Sequence, residues 1–171
     1  MHKLRNLFLA GLVLVSVVAS AQDKKGEEKE DGFKFTSVKE IPCTSVKDQY
    51  RSGTCWSFSG LGFLEAEMLR LGKPAVDLSE MFIVRHAYSD KAIKYVRLHG
   101  SLNFGAGGAF HDVTNVIKNY GIVPEEVYKG LNYGEEKHVH GELDRVLLEN
   151  VKAVVDNPNK KLTNAWHEAF E

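Results

Sequence analysis

The hydrophobic positions of this chain change spacing several times, and each change predicts an element. Leu7 to Val18 is apolar apart from Gly11 and Ser16. Gln22 to Gly32 then holds eight charged residues and no large apolar one. Phe33, Phe35, Val38 and Ile41 follow at the spacing of an extended segment before Pro42, and the chain is expected to become globular from Phe33. Helical spacing begins with Leu61, Leu64, Met68 and Leu71, predicting a helix from about Cys55 to Leu71 that stops at Gly72-Lys73-Pro74. A second helix is expected after Asp77-Leu78-Ser79-Glu80, with Asp77 and Glu80 as a capping pair, and runs to about Val96. The glycine-rich turn Gly105-Ala-Gly-Gly108 leads into a third, ended by Tyr120-Gly121. A fourth spans about Glu142 to Val155 before Asn157-Pro158, and a last one is under way at Glu171. Helix dominates, few convincing strands appear, and no internal repeat is visible.

The first apolar run has a specific context. His2, Lys3 and Arg5 precede it, and Ala19-Ser20-Ala21 supplies small residues where a signal peptidase reads them. This is the layout of a secretory leader, residues 1–21, cleaved near Ala21 to export the chain to a periplasm or the exterior. Twelve apolar residues are short for a membrane span, so no stable membrane association is expected after cleavage; an uncleaved anchor is the alternative. Residues 22–36 read as a charged tether, and 37–171 as the folded part. Cleavage removes Lys3 and Arg5 from 22 basic residues and none of the 23 acidic ones, giving a formal charge of −3. That balance argues against a nucleic-acid partner. Cys43 and Cys55 are the two cysteines, and an oxidising compartment permits a bond between them. A pairing would silence Cys55, and Cys43 reads better as a spare small residue in the extended segment.

The run Gln49-Tyr-Arg-Ser-Gly-Thr-Cys55-Trp56 carries the candidate chemistry. A thiol attacks as its thiolate and needs a base, a positive field, or both. Cys55 at the first turn of a helix meets the field of that helix. Such fields are worth up to ~2 kcal/mol, roughly one pKa unit, which is too little to ionise an ordinary thiol at neutral pH. A histidine partner is therefore required. A tetrahedral oxyanion needs donors already in place: the backbone N–H of Cys55 supplies one, and Gln49, on the approach to the turn, can bring its side-chain amide over the same point. Gly53 keeps the turn free of bulk, and Trp56 forms an apolar wall.

Gln49-x5-Cys55-Trp56-Ser57-Phe58-Ser59 resembles the active-site signature of papain-like cysteine peptidases. The resemblance implies an α+β fold, a helical domain set against a β-rich one with the cleft between them, of which this chain holds mainly the helical N-terminal half. It implies Cys55 as nucleophile, Gln49 in the oxyanion hole, a peptide as substrate, and no cofactor or metal. Ser52 stands where the family usually has a cysteine three places before the nucleophile, so that disulfide is absent, and Thr54 replaces the usual Ser or Ala. These departures, the short stretch before Cys55, and the segments Leu78-Ser79-Glu80, Gly107-Gly108-Ala-Phe-His-Asp and Lys118-Asn-Tyr-Gly121-Ile-Val-Pro124 are similar to the bleomycin hydrolase/aminopeptidase C branch. The likeness covers about residues 37–130. It implies an aminopeptidase, a homo-oligomer in the full-length protein, and Gly107 and Gly108 on the cleft wall with Trp56. A plain helix-leading turn is the other reading of these glycines; a phosphate loop lacks its Gly-Lys-Ser/Thr ending.

In the papain pattern the base and its orienting Asn lie about 130–150 residues after the nucleophile. Both are thus expected beyond Glu171, and the isolated chain is expected to be inactive. His86, His99 and His111 fall on expected helices or their edges as surface or core residues. His138-x-His140 has a spacing that metal sites use but no nearby Cys or clustered carboxylates. His167 has no Asn-Ser-Trp-like companion. A non-catalytic scaffold on the same half-fold, and a thiol acyltransferase, remain as alternatives.

Overall fold

The computed structural model describes residues 32–171; the leader and residues 22–31 of the tether lie outside them. Of the described residues, Lys39–Glu171 form one compact unit, and residues 32–38 fall outside it. In that preceding stretch Phe33, Phe35 and Val38 are all more than nine-tenths exposed. Ile41 and Val46, early in the compact unit, are also exposed, so burial begins near Thr44 and not at Phe33. The expected extended segment forms no strand, because no neighbouring strand is there to take its backbone hydrogen bonds.

This unit is built of helices α1 (Cys55–Arg70), α2 (Glu80–Arg97), α3 (Phe110–Tyr120), α4 (Gly141–Val155) and the short α5 (Ala165–Phe170). Among the described residues the β component of an α+β fold is limited to two isolated bridges, Arg51 with Val139 and Leu78 with Pro124. The α1 boundaries follow the sequence closely. After Leu71 the chain turns left-handed at Gly72, φ 71°; Gly72 N–H donates to the Leu69 carbonyl and Lys73 N–H to that of Met68. This is the Schellman arrangement, which a glycine accommodates without strain. The α2 start departs from expectation. Ser79, not Asp77, is the N-cap, its Oγ accepting from Phe82 N–H at 3.0 Å. Asp77 and Glu80 instead face Lys47. A carboxylate near an ammonium gains more than one near a lone backbone amide, so the ion pair wins.

Helix α2 is the central element. Ile83, Val84, Ala87, Tyr88, Ala92, Tyr95 and Val96 are buried at i, i+3/i+4 spacing, a stripe wide enough to meet α1, α3 and α4 at once. Leu61 of α1, Val113 and Val116 of α3 and Val151 of α4 complete the core. Phe104, 5% exposed, stands edge-on to Tyr88, Tyr95 and Phe170 and so fastens the loop after α2 to the same core. That loop continues into Gly105–Gly108 and brings the glycines to the start of α1.

Candidate active site

Four residues before α1 the backbone is clamped. Arg51 N–H donates to the His138 carbonyl at 3.0 Å, and His140 N–H donates to the Arg51 carbonyl at 3.1 Å. Tyr50 adopts a left-handed φ of 48°, held by its N–H bonded to Asp48 Oδ1 at 2.8 Å. Gly53 has φ 66°, and a Cβ there would lie 2.9 Å from Ala106 Cβ, so both conformation and close approach call for glycine. Buried Ser52 and Thr54 hydrogen-bond each other at 2.5 Å. The Thr54 carbonyl accepts from Ser57 N–H at 2.9 Å and starts the helix. Cys55 is thus the first residue of a 16-residue helix, exposed and free, as is Cys43. The two cysteines are not bonded to each other, and Cys43 lies in no strand.

Trp56 is 7% exposed and donates through Nε1 to the Ala106 carbonyl at 2.8 Å. Gly108 lies flat against its indole: an added Cβ would be 2.5 Å from Cε2. Nothing lies within 4 Å of such an atom on Gly107. The two glycines therefore differ, one pressed on Trp56 and one open. Lys91 of α2, not singled out from the sequence, holds this loop. Its Nζ donates to the Gly105 carbonyl at 3.2 Å and the Gly107 carbonyl at 2.5 Å, and sits over the Trp56 and Tyr88 rings at 5.3 and 5.4 Å. Burial pushes its ammonium below the ordinary lysine range. The signal was a lysine three residues after Tyr88 on the α2 core stripe, where a solvated cation does not belong.

Gln49 is half-buried, and its Oε1 has no hydrogen-bond partner. The carboxamide is not consumed by the fold at that atom. Two residues earlier, Lys47 Nζ pairs with Glu65 at 2.9 Å, Glu80 at 2.8 Å and Asp77 at 2.5 Å; the first two carboxylates are almost wholly buried. Glu65 also accepts from Leu78 N–H at 2.8 Å and from the Thr44 hydroxyl. Burial works against the Lys47 charge, but the hydrogen bonds it donates to Asp77, Glu80 and Glu65 outweigh it and hold the ammonium well above its usual range. Burial pushes Glu80 up despite Lys47. Glu125, buried near the Glu80 and Asp77 charges, is pushed up to about 7. This cluster ties the strand-like approach to Gln49 onto both α1 and α2. Glu65, at i+4 from core residue Leu61, was the legible trace of it.

The histidines are placed elsewhere. None hydrogen-bonds to Cys55 among the described residues. His86 stacks on Tyr120 at 4.3 Å, and His111 is exposed beside Asp112. His99 is the left-handed residue ending α2, at φ 52°. His167 reaches Ser89 at 3.0 Å. The His138-x-His140 spacing comes from the extended segment that clamps Arg51, with Val139 as the bridge residue between them. Among the described residues no group of three or more His, Cys, Asp or Glu is arranged to hold a metal ion, and no helix is long and apolar enough to cross a membrane.

Comparison with known proteins adds an independent line. Residues 32–169 match the family model described as papain family cysteine protease. The mitochondrial cysteine proteinase 1 of Saccharomyces cerevisiae is 26% identical over 123 residues, 62% of this chain and 26% of that protein. Human cathepsin L2 is 34% identical over 71 residues, 35% of this chain and 21% of its own length. A viral cathepsin of Mamestra configurata nucleopolyhedrovirus is 32% identical over 83 residues, 48% of this chain and 21% of its own. The chain thus matches about a quarter of the length of these relatives.

Proposed function

We propose that this chain, which belongs to the papain family of cysteine proteases, supplies the nucleophile half of an exported peptidase with a papain-like fold. Cys55 attacks the scissile carbonyl and forms a thioester, releasing the amine; water then frees the acid and the thiol. Gln49 and the Cys55 backbone N–H receive the oxyanion. The base histidine and its orienting asparagine come from sequence past Glu171, and the 171-residue chain alone is inactive. The observation that carries this reading is the exposed, free Cys55 at the first residue of α1, six residues after the half-buried Gln49. The leader-like residues 1–21 support export. Ser52 in the place of a cysteine, and the match to the yeast cysteine proteinase over 62% of the chain, support the bleomycin hydrolase/aminopeptidase C branch, hence an aminopeptidase and a homo-oligomer. The protein expressed from the whole open reading frame is expected to cleave fluorogenic aminoacyl amides and to leave their N-acetylated counterparts intact. Equal cleavage of both would reject the aminopeptidase assignment. Transfer to an added amine in preference to water would make it an acyltransferase, and no turnover with no downstream His and Asn would leave a scaffold.

The glycine pair gives a second test. Gly108→Ala forces a methyl into the Trp56 indole, and overpacking of this kind costs about 1–3 kcal/mol. Its melting temperature should fall and its Trp emission shift. Gly107→Ala meets open space, so stability should hold while KM rises as substrate backbone is kept away. If Gly107→Ala leaves KM unchanged, Gly107 does not line the substrate path.

A further inference from the structure

The loop Gly105–Gly108 lacks the bonds that usually fix a backbone. Among the described residues, none of its four residues takes part in a backbone–backbone hydrogen bond. Three successive carbonyls are taken by side chains instead: those of Gly105 and Gly107 by Lys91 Nζ, and that of Ala106 by Trp56 Nε1. Lys91 belongs to α2 and Trp56 to α1, so the loop is held between two helices, and one ammonium makes two of the three bonds. The same loop packs on the nucleophile's turn. A Cβ on Gly53 would lie 2.9 Å from Ala106 Cβ, and Gly108 is pressed on the Trp56 indole.

A lysine is an expensive way to fill this place. Burial works against its charge; Asp112 and Asp144 favour it and Lys94 opposes it, but both carboxylates are already engaged, by Ala109 N–H and the Tyr88 hydroxyl. A methionine would occupy the same space with no charge to desolvate. What the lysine adds is a donor that meets two carbonyls of one loop at once. We infer that Lys91 is a positioning residue of the peptidase: its ammonium turns the Gly105 and Gly107 carbonyls toward the core and so keeps the cleft wall in the shape that accepts substrate, without touching the substrate itself. This inference rests on the peptidase reading, in which Gly107 and Gly108 line the cleft. A wall that must be ordered at the moment of binding weakens binding, so loss of the clamp falls on KM and not on the thiol chemistry.

The test uses protein expressed from the whole open reading frame and the fluorogenic amide it turns over. Lys91→Met keeps the stem and removes the donor. KM is expected to rise about tenfold, the order of one lost hydrogen bond, while kcat stays within about twofold of the parent's. Iodoacetamide should alkylate Cys55 at the parental rate, since so small a reagent needs no wall. Lys91→Gln still donates but reaches less far, and is expected to raise KM about threefold. It decides the matter should Lys91→Met fail to fold, which circular dichroism checks. A KM within about twofold of the parent's in folded Lys91→Met, or no rise at all in Lys91→Gln, overturns the proposal by showing that the clamp is idle. A fall in kcat and in alkylation rate alongside the rise in KM overturns it too, since Lys91 would then support the helix start as a whole. Failure of the peptidase reading looks different: hydrolysis that survives Cys55→Ala rejects that reading, and this inference with it, whatever the Lys91 variants do.

Discussion

Replacing Cys55 by alanine is expected to lower peptide hydrolysis by at least ~10⁴-fold in protein expressed from the whole open reading frame, because on the proposed mechanism the covalent route disappears and only binding and oxyanion contacts remain. On the same proposal, Gln49→Ala is expected to act differently. A donor aimed at the oxyanion makes its best hydrogen bond after the carbonyl has become tetrahedral, so its loss falls on kcat, by about 10²–10³, with KM little changed. The two effects are not additive, since an oxyanion donor has nothing to stabilise once the nucleophile is gone. The structure adds a control. Cys43 is also exposed and free, but it lies outside any helix start. Cys43→Ala should leave turnover unchanged, and limiting iodoacetamide should modify Cys55 first, as read by peptide mass spectrometry. A Cys55→Ala variant retaining a tenth of the activity would remove Cys55 from the mechanism. Preferential alkylation of Cys43 would do the same for the role of the helix start.

What the sequence revealed of this site was its local part. The glycine stops at Gly72 and Gly121, the helix start at Cys55 and the glycine turn before α3 are written in adjacent residues, and the structure places them as read. The contacts that assemble those pieces join residues far apart in the chain. Arg51 is clamped by His138 and His140 through backbone atoms alone, for which side-chain identity leaves no record. The His138-x-His140 spacing, which metal sites also use, reflects an extended segment in the structure. Asp77 looked like a cap because capping is a local rule, whereas Lys47, thirty residues earlier, offered it a charge. Phe33, Phe35, Val38 and Ile41 have the alternation of a strand, but alternation cannot supply the partner that a strand requires. Lys91 stands on the α2 core stripe, which marks it as unlike a solvated lysine, but the carbonyls and ring it meets come from segments distant in the chain and leave no local record.

The largest loss of stability is expected from Lys47→Met. One ammonium faces Glu65, Glu80 and Asp77, and the side chains of the first two are 0% and 4% exposed. Removing one partner of a buried ion pair typically costs about 3–5 kcal/mol, since the charge left behind can neither be hydrated nor paired. For a domain of this size that is a fall of about 10 °C or more in melting temperature. The pH dependence carries the sign. A carboxyl whose pKa is raised by folding favours the folded state in its protonated form, so its contribution is present below the unfolded value and lost as pH rises through the folded one. Glu125 already behaves this way, with a window from its ordinary 4.5 to about 7, and Glu80 is raised in the same direction. Without Lys47, Glu80 moves further up, so Lys47→Met should be weakest at pH 8 and recover towards pH 5. Adding Glu80→Gln should restore part of the loss at pH 8 and little at pH 5, whereas adding Arg70→Gln, whose partner Glu67 lies on the exposed face of α1, should restore nothing. Thermal melts of the three variants across that range decide it; a Lys47→Met melting curve that superimposes on the parent's at pH 8 would show that the cluster carries no net stability. The same substitution is expected to reach the proposed chemistry, because Lys47 holds the segment that carries Gln49 against α1 and α2. A lowered kcat in whatever Lys47→Met protein remains folded would mark this cluster as the support of the oxyanion donor.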